Sequence, residues 1–311
     1  MLKKRIHTIS FLFLVSSATL WTVAALAGPG GAIQKTSYSP TTQPASSSSV
    51  LTDTARLALS PNSGTLVFSA PPRESAEDGD ATYGPVVEYL SQALGKPVTY
   101  KHPDNWIAYQ AEMQKGNYDL VLDGPHFTSW RITKLSYIPL VKFPADLQFV
   151  VVVKKDNTKV VDAKQLVGRA VCAMPSPNLG TLTLLNQFDN PARQPVIVST
   201  NGWVNIYKGL LSGHCVGAVL PLSNLQKFDR DGNSTRVVYR ATALPNQTFS
   251  AGPRVSPQDQ IKIKQALLSQ RADGATALLR TVYAIDSALV PATRDEYAAL
   301  GGMLKDVWGY Q

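Results

Sequence analysis

The sequence is poor in the residues that most chemistry requires. In 311 residues there are two cysteines and four histidines, and one of those, His7, lies in the extreme N-terminal segment. No His-Glu-x-x-His, Cys-x-x-Cys, Gly-x-Ser-x-Gly or Walker pattern occurs, so the common metalloprotease, redox, serine-hydrolase and nucleotide-hydrolysing sites are excluded. His214 and Cys215 are adjacent and point opposite ways on a strand, which removes the one close pair of metal-ligating types. The expectation is a protein that is not an enzyme and carries no metal or cofactor. Charge is also scarce, at 17% of residues, and the formal net charge is +8, of which Lys3, Lys4 and Arg5 supply three. The remaining +5 is dispersed, with no basic run beyond the N-terminus, so nucleic acid is not an expected partner. A mild positive balance suits an anionic ligand, and equally an ordinary solvated surface.

What the chain does have begins with a targeting signal. Lys3-Lys4-Arg5 precedes an apolar run over residues 9–26 that ends in Ala25-Leu26-Ala27. A basic start, an apolar stretch and an A-x-A site predict a signal peptide over residues 1–27, cleaved before Gly28, and a periplasmic protein. The run is also near the length that spans a bilayer, so an uncleaved inner-membrane anchor is the alternative. Residues 28–64 are rich in Ser, Thr and Pro and lack the apolar residues for a core, and they read as a flexible linker.

The folded part is organised around YDLVLDGPHF, residues 118–127. Leu120, Val121 and Leu122 form a short apolar strand that must stop and turn at Gly124-Pro125, because proline lacks the amide proton a ladder needs. In an open α/β sheet, ligands sit at the carboxyl ends of strands. Upstream, residues 65–69 and 97–100 read as strands and 86–94 and 106–115 as helices, giving β-α-β-α-β and a parallel sheet. A second such series runs through residues 169–173, 182–188, 195–199, 204–211 and 215–220. Residues 146–155, 237–239 and 244–251 are extended stretches that connect the two. Ser256, Pro257 and Asp259 open a helix over residues 256–269, and residues 294–308 form the last helix.

The expected fold is therefore α/β and bilobed. Lobe 1 takes residues 65–154 and 237–311, lobe 2 takes residues 155–236, and two extended hinge crossings let the cleft close on a ligand. Cys172 and Cys215 fall near strands that can be neighbours in one sheet; they are either a disulfide or two buried thiols.

YGPVVEYLSQALGKPV (residues 83–98), the helix with GNYDLVLDGP after it (106–125), DAKQLVGRAVCAMP (162–175) and GHCVGAVLP (213–221) resemble segments of PhnD-like solute-binding proteins. Those are the periplasmic substrate-binding components of ABC importers for phosphate, phosphite and phosphonate, with the type II periplasmic-binding fold. The resemblance covers residues 66–267 and implies a small-molecule ligand and an inner-membrane ABC permease as partners. It also places the oxyanion cradle at Ser176, Asn178, Gly180 and Thr181, where the family's Ser-Thr-Ser-Gly run is replaced by Ser-Pro-Asn-Leu-Gly-Thr. Trp203 stands where the family has a histidine, and Pro221 where it has an acid, which implies a less charged or more apolar solute. Tyr83, Gly124, Pro125, His126 and Phe127 are further candidates for the cleft. Tyr83 and His126 have packing as the alternative role, and Trp203 is either a ligand platform or a hydrophobic plug. The other function class that the degraded cradle and long linker allow is a ligand-sensing or partner-binding module, with a sensor kinase as its partner.

Overall fold

A computed structural model of the chain describes residues 64–307, 309 and 310. The expected signal peptide, and the expected linker apart from Gly64, lie outside these residues. No helix among the described residues is long and apolar enough to cross a membrane.

Two mixed sheets form the framework. The first has β1 (Leu66–Ser69), β2 (Val98–Tyr100), β3 (Leu120–Asp123), β4 (Ile138–Lys142), β10 (Thr248–Ala251) and β11 (Val290–Pro291), in the order β11-β4-β10-β3-β1-β2. The second has β5 (Phe149–Lys154), β6 (Ala170–Ala173), β7 (Val196–Ser199), β8 (Gly217–Pro221) and β9 (Thr235–Arg240), in the order β7-β6-β8-β5-β9. In the first sheet β1 pairs in parallel with both β2 and β3, and in the second β6 pairs in parallel with both β7 and β8. Two parallel β-α-β-α-β series are thus present, as the alternation of segments predicts. Strands β5, β9 and β10 add antiparallel pairings at the centre or edge.

Helices α1 (Ala76–Leu94), α2 (Trp106–Gln114) and α3 (Pro125–Leu135) serve the first sheet. Helices α4 (Leu179–Leu185), α5 (Trp203–Leu211) and α6 (Leu222–Phe228) serve the second; α7 (Pro257–Leu267), α8 (Ala272–Ala275) and α9 (Ala277–Tyr283) follow β10. The side-chain alternation of β3 divides the first core. Leu120 and Leu122 pack with Leu90, Ile263 and Leu279 on one face, while Val121 packs with Tyr109 and Phe127 on the other.

Four boundaries differ from expectation, each for a local reason. The polar stretch 73–85 is mostly helix: Ser75 caps α1 through the Asp78 amide, Glu77 and Asp78 occupy its first turn, and Pro85 is carried inside. Gly124-Pro125 ends β3 as expected but starts a helix at once, since proline at the first helical position gives up an amide that has no helical partner there. Helix α4 begins at Leu179, three residues before the expected start, because the Asn178 side chain caps it through the Gly180 amide. The C-terminal segment is a 3-10 helix over Ala298–Leu304, shorter than the helix expected over residues 294–308.

The expected lobe boundaries, at 154/155 and 236/237, fall at the end of β5 and inside β9, two strands paired to each other in the second sheet. A run of valines reads as a strand whichever sheet it joins. The crossings lie just outside these strands, where Leu147 and Leu244 bridge antiparallel and exchange two backbone hydrogen bonds.

Candidate functional site

Because β1 and β3 are parallel neighbours, their carboxyl ends open side by side. Beyond β1 the chain runs Ala70-Pro71-Pro72-Arg73-Glu74; beyond β3 it runs Gly124-Pro125-His126 into α3. The second lobe presents the segments that follow β6 and β7. Two hydrogen bonds join these ends across the cleft: the Gly202 amide donates to the Arg73 carbonyl at 2.8 Å, and the His126 ring meets the Pro177 carbonyl at 3.0 Å. A carbonyl only accepts, so Nε2 of His126 carries the proton and Nδ1 is left with a lone pair. That Nδ1 is buried without a partner. Burial pushes the imidazole down to about 3, against the pull of the Pro177 carbonyl, with Arg73 adding to the depression.

Arg73 is 4% exposed. Its Nη1 donates to the Tyr283 hydroxyl at 3.0 Å, and that hydroxyl lies 3.2 Å from the hydroxyl of Tyr83. Glu74 follows with Oε1 buried and unpartnered, and burial pushes its carboxyl up to about 7 although Arg73 pulls it down. Glu74 also lines a cavity of about 500 Å³ at the cleft, together with Pro72, His102, Trp106, Pro175 and Asn201. The indole Nε1 of Trp106 is a buried donor without a partner.

Behind the cleft a fully buried ion pair fixes the end of β3. Asp123 Oδ2 accepts from Arg131 Nε at 2.6 Å, Oδ1 accepts from the Tyr109 hydroxyl, and Arg131 Nη2 donates to that hydroxyl at 2.9 Å. The guanidinium also lies 4.9 Å from the centre of the Tyr137 ring. Asp123 ends the strand and Arg131 stands on α3, so the pair locks the turn that carries Gly124, Pro125 and His126.

The expected site residues separate into two groups. Gly124, His126 and Ser176 stand at the interlobe junction, with Pro125 in the same turn; Ser176 is exposed and lines a cavity of about 760 Å³ with Pro177, Trp106 and Met303. The others pack or bond within one lobe. Tyr83 is a wholly buried residue of α1 packed on Phe68 and Tyr100, and Phe127 is enclosed by Trp106, Tyr109 and Tyr310. Trp203 opens α5, buried against Phe149, and Pro221 pairs with Phe149 at the end of β8. Asn178 caps α4 and contacts the Met174 sulfur, the Gly180 amide is taken by that cap, and the Thr181 hydroxyl donates to the Met174 carbonyl. These three groups are therefore already bonded within the second lobe. Cys172 and Cys215 form a disulfide with a Cα separation of 5.6 Å.

Arg73, Glu74 and Tyr283 were not expected. For the first two a signal existed: a charged pair directly beyond the carboxyl end of a buried strand, the same position that singles out Gly124. Tyr283 reaches the cleft from α9, more than 200 residues along the chain, and nothing local marks it.

Two α/β lobes with a cleft at the carboxyl ends of their strands make a solute-binding architecture. Residues 68–297 match the family described as the periplasmic substrate-binding protein of the phosphonate ABC transporter, and the chain belongs to that family. By sequence it matches no curated protein. Three solved structures share the fold at low identity. A Xanthomonas citri protein solved bound to ATP is 12% identical with a TM-score of 0.61, covering 78% of this chain and 98% of that one. The binding-protein component of an ABC phosphonate transporter from Pseudomonas aeruginosa is 11% identical with a TM-score of 0.60, covering 75% and 83%. PhnD1 from Prochlorococcus marinus, in complex with methylphosphonate, is 15% identical with a TM-score of 0.58, covering 78% and 97%. Substrate-binding proteins of this family carry a solute without altering it chemically.

Proposed function

We propose that this protein captures a small oxyanion of the phosphonate or phosphate class in the interlobe cleft and delivers it to an inner-membrane ABC permease. The observation that carries this reading is the junction at the carboxyl ends of β1 and β3. A buried arginine and the start of α3 stand there, and the Arg73 carbonyl and the His126 ring already hydrogen-bond to the second lobe. The family membership and the methylphosphonate complex of PhnD1 support the same ligand class. Of the expected contacts, Gly124, His126 and Ser176 are taken as ligand-facing. Bending at the two crossings beside Leu147 and Leu244 opens and closes the cleft. The chain is exported to the periplasm and cleaved before Gly28.

Isothermal titration of the full chain with phosphate, phosphite, methylphosphonate and aminoethylphosphonate tests the ligand. The expected result is one-to-one binding of at least one of them, with a rise in melting temperature by mass action. No binding to any of the four overturns the reading. N-terminal sequencing of the periplasmic fraction tests export, with Gly28 as the expected first residue.

A further inference from the structure

A guanidinium this deeply buried calls for an anion. Arg73 meets a neutral hydroxyl and the face of one ring, both from Tyr283, and no carboxylate of the described residues forms an ion pair with it. The carboxyls of Glu74 and Asp123 favour the charge from a distance, but no anion among the described residues bonds the guanidinium directly. The surroundings of its free edge show where the compensating charge belongs. A Cβ built on Gly124 would lie 3.9 Å from Arg73 Nη2 and 3.2 Å from His126 Nδ1, so both nitrogens surround one spot over Gly124. Gly124 is the N-cap of the eleven-residue α3 and gives it no side-chain cap, so the positive end of that helix opens at the same place. The unpartnered Nδ1 of His126 brings the opposite requirement: with the proton on Nε2, it asks for a donor.

Resting on the reading that the cleft takes a small oxyanion, we propose that the anion's charge is met from the first lobe. Arg73 and the N-terminus of α3 hold its charged oxygens, and His126 Nδ1 accepts a hydrogen bond from a protonated oxygen of the same group. The ligand class is then a singly charged oxyanion that keeps a hydroxyl, such as a hydrogen phosphonate or dihydrogen phosphate. A sulfonate of the same size and charge has no hydroxyl and is rejected. The charged contact thereby moves away from α4, whose cap, amide and hydroxyl are already bonded within the second lobe.

The test is isothermal titration of the full chain with methylphosphonate and methanesulfonate. Wild type is expected to bind methylphosphonate at least about tenfold more tightly than methanesulfonate, the worth of one hydrogen bond. Arg73→Met is expected to lose about 100-fold in methylphosphonate affinity, as truncating one partner of a buried charge pair does, with part restored by Arg73→Lys. Methylphosphonate should raise the melting temperature of wild type and of Arg73→Lys but not of Arg73→Met, and an equal rise in Arg73→Met would overturn the role of Arg73 whatever that variant's own stability. His126→Phe should bring the two affinities together. Methylphosphonate binding equally tight in wild type and Arg73→Met overturns the proposal while leaving the transport reading intact. Equal affinity of wild type for the two ligands overturns the part given to His126. Binding of neither these nor phosphate by wild type means that the underlying reading has failed, and the proposal with it.

Discussion

His126 of the first lobe donates its Nε2 proton to the Pro177 carbonyl of the second, at 3.0 Å, from a ring held neutral by burial. Its pKa is pushed down to about 3, whereas an unfolded chain titrates near the ordinary value of about 6.5. Between those values the unfolded state binds the extra proton, so the contribution to stability is whole above pH 6.5 and is lost as the pH falls toward 3. Urea denaturation from pH 7.5 to pH 4 should show this decline. His126→Phe should cost about 1–3 kcal/mol at pH 7.5, since the Pro177 carbonyl loses its donor, yet decline less steeply in acid. An acid slope equal to that of wild type would assign the titration to other groups.

Glu74 has the opposite sign. Its folded carboxyl is pushed up to about 7 by burial, above the unfolded value of 4.5, so the unfolded state releases its proton first as the pH rises. The native state is therefore penalised above pH 4.5, fully so beyond pH 7. Glu74→Gln should raise the melting temperature at pH 8 by an amount worth about 1–3 kcal/mol and leave it nearly unchanged at pH 4. Differential scanning fluorimetry at the two pH values decides the point, and a loss of stability at pH 8 would show that the ionised carboxylate is needed.

These two residues also mark how far the sequence can be read. The strand at Leu120–Asp123 and its stop at Gly124-Pro125 were legible because they depend on a short run of neighbours. So were both β-α-β-α-β series, through the switch between strand and helix periodicity. What was missed depends on spatial adjacency. Arg73 comes near Gly124 only because β1 pairs with β3, and Tyr283 meets Arg73 only because α9 folds back across the first lobe. The bonding of the second-lobe cradle was hidden for a related reason. Asn178, Gly180 and Thr181 have the right chemistry for an anion, but only the folded α4 shows that they already satisfy one another and Met174.

The Cys172–Cys215 disulfide, 43 residues apart in sequence, ties β6 to the approach to β8 deep in the second lobe. Closing a loop of that length stabilises by about 4 kcal/mol through the entropy of the unfolded chain. Replacing both cysteines with serine should lower the denaturation midpoint accordingly, and a reductant should have a similar effect on wild type but none on the variant. Full stability in the serine variant would show that the second lobe does not depend on the link.

The buried pair Asp123–Arg131 permits a sharper test, because its two halves fail differently. Both side chains are wholly buried, and the carboxylate is shared between Arg131 and the Tyr109 hydroxyl. Removing Asp123 strands a guanidinium in the core, so Asp123→Ala should cost about 3–5 kcal/mol by urea denaturation. Arg131→Met leaves a buried carboxylate that retains only Tyr109, and should cost a similar amount. The double variant should be much less damaged than the sum of the two, because neither charge is left alone, and the cycle should return a coupling of at least about 2 kcal/mol. The pair also holds the turn of Gly124 and His126 in place. The double variant should therefore bind methylphosphonate more weakly even where its fold survives, whereas unaltered affinity would show that α3 is positioned by packing alone.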